Sequence, residues 1–297
     1  MQLFLLKEHQ GDFMKIKKNE PLSKYTTFKM GGIAKKMYFP ESIEELMTLA
    51  DKYNHILNYA IGGGSNLLIN DKQCFDEVLC LKDFNKRLEH FGNGTYYIGA
   101  SVRLQTFIKS INNDGYGGIE YLFSVPGLVG GAVYMNAGRG KKHNKCISDY
   151  IQSVDVLIDG KIKTFLKKDC EFSYRTSKFQ SLPKCIITGA LFKFPAMSKE
   201  KTAAEIQARI DLCRRVQDMS APNYGTVFCE SNKYIMTLVQ KFHLGYKNGC
   251  NFSRKTKNWM LHEENGTFEQ AVNLLNKVKR WHKIFHLKCK AEVRIWE

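Results

Sequence analysis

The chain has no apolar run approaching the ~20 residues that a bilayer-spanning helix requires, so no segment is expected to cross a membrane. No secretory leader is expected in it either, because the opening MQLFLLKEHQGDF runs from a small apolar patch straight into Glu8 and Asp12. A coherent pattern starts only after residue 13, which makes Met14 a candidate start. The nine cysteines contain no C-x-x-C pair, which argues against structural zinc and a disulfide framework and for reduced thiols in a cytoplasm. His282 and His286 stand four apart with no carboxylate between them, so no metal site is expected. Repeats and low-complexity tracts are missing, as are the glycine patterns of Walker and Rossmann phosphate loops.

What is present is a folded-protein composition, with 43% hydrophobic residues, and a length of 297 residues that suits two or three domains. The net charge of +16 fits a polyanionic partner, either nucleic acid or small anions such as nucleotides. Most of this charge is dispersed, as in Lys141-Lys142; the densest stretch is KVKRWHKIFHLKCK at 277–290. The pattern predicts an α+β fold. Lys36–Phe39 reads as a strand, Ser42 caps a helix to Tyr53 in a capping box, and ILNYAI reads as a strand. Ser101 is expected to cap a helix whose Leu104, Phe107, Ile108 and Ile111 share a face. Asp159-Gly160 suits the type I′ turn of a hairpin. A helix from Lys201 to Val216 carries Ile206, Ile210 and Cys213 on one stripe. A second capping box, Thr267 to Gln270, opens another helix, and the chain ends in one alternating strand through Glu292 and Arg294.

Four segments could carry chemistry. Gly62-Gly63-Gly64-Ser65-Asn66 follows a strand; its bare backbone either cradles a pyrophosphate or forms a tight turn. In SVPGLVGGAVYMNAGRG, Pro126-Gly127 turns into a short helix that Asn136-Ala137-Gly138 ends. Gly130-Gly131 there allows close ligand approach or close helix packing, and both readings stand. CEFSYRTSKF groups Tyr174, Arg175 and Ser177; the arginine could polarise a carboxylate or an enolate, or serve a surface ion pair. In APNYGTVFCES a Pro-Asn turn and Gly225 present the hydroxyl of Thr226, either as a catalyst or as a turn hydrogen bond.

Taken in order, PLSKYTTFKMGGIA, GGGSNLL, SVPGLVGGAVYMNAG, SYRTSKF, GTVF and the terminal AEVR resemble the UDP-N-acetylenolpyruvoylglucosamine reductase family from about Pro21 to Arg294. The resemblance implies a two-lobed FAD-binding domain of the vanillyl-alcohol-oxidase type at 21–200, with lobes of about 21–83 and 84–200. It also implies a smaller α+β substrate-binding domain at 201–297, whose last strand returns to the active site, and an extension at 1–20. FAD is expected to be non-covalent, held by Gly62, Gly63, Gly64, Ser65, Asn66, Leu67, Pro126, Gly127, Gly130, Gly131, Asn136 and Gly138. NADPH is the implied reductant and a UDP-sugar enolpyruvyl ether the implied substrate of this peptidoglycan-precursor reaction. Arg175 matches the arginine that holds the enolate, Glu292 the glutamate with the same task, and Thr226 the serine proton donor. Tyr174, Arg214 and Asn251 are the implied substrate contacts.

The sequence departs from the family pattern at four places, one of them the segment GYKNGCNFSRKTKNW (245–259), which keeps only Asn251-Phe252 of the usual His-Ala-Asn-Phe stretch. Threonine replaces the serine, Cys229-Glu230-Ser231 replaces Lys-Asn-Pro, and Lys290 stands where a glutamate is common. A cytoplasmic monomer is expected, with neither nucleic acid nor a membrane as partner. Two other readings remain: a related flavin oxidoreductase with another acceptor, and a basic nucleic-acid-binding protein.

Overall fold

The computed structural model describes residues 14–139 and 145–297. The opening apolar patch, most of the expected 1–20 extension and the Lys141-Lys142 pair lie outside the described residues. The chain folds as two compact units. The first comprises Lys36–Gly63, Glu77–Cys213 and the N-terminal residues through Lys18; the second comprises Asn19–Lys35, Gly64–Asp76 and Arg214–Glu297.

The first unit contains the larger part of a four-stranded sheet. Its order is β1 (Lys15–Pro21), β2 (Ile33–Phe39), β5 (Cys74–Cys80) and β3 (Ala60–Ile61). Helix α1 (Ile43–Lys52) starts where the Ser42 hydroxyl accepts the Glu45 amide, and buries Leu46, Leu49 and Ala50. These pack with Tyr38, Ile56, Leu79 and Phe84 in one core cluster. A second, five-stranded antiparallel sheet runs β6 (Leu88–His90), β7 (Thr95–Gly99), β10 (Ile186–Lys193), β8 (Ile151–Ile158) and β9 (Lys161–Leu166). Between β8 and β9, Asp159 and Gly160 both take positive φ, +52° and +69°, as a type I′ turn requires. Helix α2 (Leu104–Asn113) turns Leu104, Phe107, Ile108 and Ile111 into the larger core. Ten residues are too few for a stable isolated helix, so this buried face holds it, each side chain contributing ~1.5–3 kcal/mol. Helix α3 (Val129–Tyr134) buries Val129, Ala132 and Val133 in the same core.

Helix α4 (Lys199–Val216) buries only Thr202, with Ile206, Ile210 and Cys213 half-buried. In the second unit β4 (Leu67–Ile69) pairs in parallel with β16 (Arg294–Trp296), Leu67 opposite Arg294. β11 (Asn223–Thr226), β14 (Trp259–His262) and β13 (Cys250–Phe252) form a three-stranded sheet, and β12 (Phe228–Glu230) pairs with β15 (Lys290–Ala291). Helices α5 (Lys233–Lys241) and α6 (Phe268–Ile284) cover a core of Phe28, Tyr224, Phe228, Phe252, Met260 and Leu275.

Several local expectations need correction. ILNYAI is a 3-10 turn, Asn54–Asn58, followed by a two-residue strand, because only Ala60 and Ile61 find partners, in Leu79 and Cys80. Ser101 does not cap α2: its hydroxyl is engaged by the Leu81 carbonyl and the Asn85 amide. Neither capping box closes fully. Glu45 accepts from the Glu41 amide instead of the cap, and Gln270 from the Cys250 amide. The C-terminal strand is broken at Glu292–Val293, since Lys290–Ala291 pairs with β12 while Arg294–Trp296 pairs with β4.

Candidate active site

In the first unit the two glycine runs meet. A Cβ on Gly63 would stand 2.9 Å from the Gly127 Cα, so the backbones touch where neither residue carries a side chain. Gly130 donates its amide to the Ala100 carbonyl, and its Cβ would fall 2.9 Å from that of Ala100; at this glycine the packing reading holds. Gly131 is different, because among the described residues nothing beyond its own helix lies within 4 Å of where its Cβ would project. Asn136 ends α3 with φ +43°, the Ala137 and Asn136 amides closing a Schellman pair onto Ala132 and Val133. Its buried side chain donates to the Ser173 carbonyl at 2.8 Å and accepts the Ser148 amide. The end of α3 is thus tied to the Tyr174–Arg175 loop.

That loop is a tight turn: Ser173 and Thr176 exchange both backbone hydrogen bonds, leaving Tyr174 and Arg175 at its tip. Arg175 takes φ +56°, a left-handed conformation that costs an ordinary residue of order 1–3 kcal/mol and persists only where neighbours enforce it. The neighbours are visible. The Gly138 carbonyl accepts from Arg175 Nη2 at 2.9 Å, and Gln180 Nε2 donates to both the Arg175 and Tyr134 carbonyls. The guanidinium lies 5.8 Å from the Tyr174 ring centroid, and Nε is shielded from solvent.

The second unit holds the remaining residues. Gly64 sits at φ +62° against the Tyr25 carbonyl, where any Cβ would collide, so this third glycine is required by the turn itself. Asn66 donates its side-chain amide to the Glu292 carbonyl at 3.0 Å and accepts the Arg294 amide on its own carbonyl. The Glu292 amide in turn donates to the Val227 carbonyl at 2.8 Å. The glutamate is therefore clamped between the glycine loop and the residue after Thr226. Its Oε2 is shielded from solvent. Thr226 itself is exposed, and its hydroxyl has no hydrogen-bond partner among the described residues; the preceding turn is closed instead by Asn223 Oδ1, which accepts the Gly225 amide. Cys229 lies beside Lys290 and Ala291, and its thiol is pushed up by burial and then by the Glu292 charge. Glu230 pairs across the ladder with Lys290, so two of the departures face each other as opposite charges. Ser65 is half-buried beside Asn66; Leu67 lies in β4. Arg214 is exposed, with Lys255 donating to its carbonyl. Asn251 lies in β13 with its amide turned to the Gly249 carbonyl.

A flavin dinucleotide fits the first unit's bare surfaces at Gly62 and Gly131. Among the described residues and beyond the local backbone, a Cβ at Gly62 would meet only Leu128, at 3.7 Å, and one at Gly131 nothing within 4 Å. An FAD binding domain model matches residues 36–165, which span both glycine runs. UDP-N-acetylenolpyruvoylglucosamine reductase from Bacillus pumilus is 31% identical over 95% of this chain and 94% of its own length. The chain belongs to the UDP-N-acetylenolpyruvoylglucosamine reductase family. The enzyme of that name from Bacillus subtilis is 30% identical over 90% of this chain and 88% of its own. A crystal structure of the Thermus caldophilus reductase superposes with a TM-score of 0.78 at 22% identity, covering 96% of this chain and all of that one. It places the α+β fold with the same family.

Two residues that sequence reasoning missed, Asn258 and Gln180, support the reductase motifs. Asn258, at φ +64°, clamps Phe228 by accepting its amide and donating to its carbonyl, and so fixes the Thr226 segment. Gln180 and Ser177 both donate to the Tyr134 carbonyl and fix the Arg175 turn. Asn258 carries no local sequence signal, because its partners lie 30 residues away.

Proposed function

We propose that the chain reduces the enolpyruvyl ether of UDP-N-acetylglucosamine to UDP-N-acetylmuramate with NADPH, in peptidoglycan precursor synthesis. FAD, bound without a covalent link, supplies the hydride relay between the nicotinamide and the vinyl ether. The flavin is held by Gly62, Gly63, Gly64, Ser65, Asn66 and Leu67 from one run and by Pro126, Gly127, Gly131, Asn136 and Gly138 from the other, while Gly130, expected in that set from the sequence, packs against Ala100 instead. Arg175 sets its guanidinium against the substrate carboxylate and stabilises the charge that builds there as the double bond is reduced. Such fixed electrostatic partners are worth ~3–4 kcal/mol each by analogy with oxyanion-hole donors. Glu292 acts at the same enolate, and the Thr226 hydroxyl delivers the proton to the carbon next to the carboxylate. Thr226 is exposed, so water can restore its proton. Tyr174, Arg214 and Asn251 contact the substrate. Functionally, residues 21–200 serve the flavin and 201–297 the nucleotide sugar, in a cytoplasmic monomer.

The observation that carries this reading is the clamp on Glu292, whose amide and carbonyl are fixed by Val227 and Asn66. It ties the carboxyl-bearing residue to the hydroxyl-bearing segment and to the glycine loop. The test separates the half-reactions in stopped flow: NADPH bleaches the flavin, and the enolpyruvyl sugar restores its colour. Thr226→Ala is expected to leave bleaching nearly unchanged and to slow recolouring by roughly 100- to 10,000-fold, the range for a lost general acid. Normal recolouring in that variant excludes Thr226 as the donor. A second reading, a related oxidoreductase with another acceptor, is favoured by the Glu230–Lys290 pair; failure of the enolpyruvyl sugar to recolour a reduced parent enzyme would select it.

A further inference from the structure

A separate surface of the second unit, outside the reaction just described, combines exposed apolar side chains with an unbalanced positive charge. Helix α5 turns Ile235, Met236 and Val239 inward, and leaves Tyr234, Leu238 and Phe242 exposed at i, i+4 and i+8. Phe242 is 68% exposed. The end of α6 lies at the start of α5, since the Asn232 amide donates to His282 Nε2 at 2.8 Å. Just beyond it Ile284, Phe285 and Leu287 are also exposed, Phe285 at 65%. Single exposed apolar residues need no explanation, but six large ones along α5 and at the adjoining end of α6 do.

The charge around them is mostly of one sign, the nearby carboxylates being Glu230, opposite Lys290, and Glu263, near His243. Residues 231–262 contain no Asp or Glu but carry Lys233, Lys241, Lys247, Arg254, Lys255 and Lys257. Residues 270–291 again contain none, and carry Lys277, Lys279, Arg280, Lys283, Lys288 and Lys290. A depression of about 830 Å³ beside Phe242 is lined by Thr237, Gln240, Lys241, His243 and Arg254. His243 is biased toward its neutral form by burial and by Arg254, with Glu263 the opposing carboxylate. The two permanent cations therefore set the sign of this depression.

We propose that this face docks on an anionic lipid surface, the cations meeting phosphate headgroups while Phe242, Leu238, Ile284 and Phe285 enter the acyl boundary. Exposed Phe and Leu flanked by lysines are the signature of interfacial binding. A second copy of the chain is a poor occupant, because a two-fold contact would press the same cations together. Tyr234, Phe242 and Phe285 alone would suit stacked bases, but the aliphatic Leu238, Ile284 and Leu287 beside them fit an acyl boundary instead. The proposal reverses the expectation of no membrane partner, which rested only on the lack of a spanning segment.

The test is flotation of the full-length, flavin-loaded protein with phosphatidylcholine vesicles, with and without phosphatidylglycerol. Binding is expected only with phosphatidylglycerol and is expected to fade toward about 0.5 M salt. Phe285→Ser with Phe242→Ser should weaken it at least tenfold, and Lys241→Glu or Lys288→Glu by roughly tenfold each. Phe91→Ser, at an exposed site of the first unit, should change nothing. NADPH bleaching of the flavin checks that each variant is folded; if the serine variants are not, the charge reversals decide. Equal binding to neutral vesicles, no binding to anionic ones, reversals that bind like the parent, or tighter binding to single-stranded RNA would each overturn the proposal.

Discussion

Gly130 and Gly131 are neighbours in sequence with opposite surroundings. A methyl on Gly130 meets Ala100, so Gly130→Ala should destabilise the fold by ~1–3 kcal/mol, read as a lower midpoint in denaturant. Gly131→Ala meets no described atom beyond its own helix and improves helix propensity, so stability should hold or rise by up to ~1 kcal/mol. If Gly131 borders the flavin, the same variant should nevertheless bind FAD more weakly in a fluorescence titration. At Thr226 the extra methyl restricts χ1 relative to serine. Thr226→Ser should therefore recolour the flavin at least as fast as the parent, which distinguishes a working hydroxyl from a packing methyl.

At the scale of elements, α3 and the Arg175 turn are one device, joined by Asn136. This residue supplies a left-handed cap, an amide for Ser173 and an acceptor for Ser148. Asn136→Gly keeps the cap and loses both side-chain bonds, for an expected cost of ~1–3 kcal/mol; Asn136→Ala loses the cap as well and should be worse. Both should slow recolouring more than bleaching, because the strained Arg175 turn loses a support. Alternation made the last strand look continuous, but its halves pair with different elements. The break at Glu292–Val293 lets Glu292 be held by both Val227 and Asn66. Pairing partners are nonlocal, so periodicity alone could not show that break.

For the whole molecule, the reduced cysteines give stability a pH dependence. Burial pushes the Cys80 thiol up to about 11 and the Cys250 thiol up to about 12. An unfolded thiol releases its proton near ~8.5, so above that pH the folded chain holds protons that the unfolded chain has lost. Their contribution is complete below ~8.5 and is lost as pH rises toward 11–12, so the denaturant midpoint should fall across that window. Cys80→Ala and Cys250→Ala together should flatten the fall. On the acid side, Asp218 is partly desolvated, which alone would raise it, yet hydrogen bonds from Ser220 and Ser253 hold it low. Its contribution is present above ~3.9 and disappears as pH falls below.

Turn residues, caps and buried faces were legible in the sequence because they are local: the Asp159-Gly160 hairpin, the α2 face, the Asn136 cap, and an ordered set of motifs that identifies the family. The tertiary structure alone decided which glycine packs and which stands open, that Gly64 is required by Tyr25, and that Asn66 and Asn258 hold Glu292 and the Thr226 segment. Those outcomes depend on atoms brought together from distant positions, and one chain read in order carries no signal of such approaches.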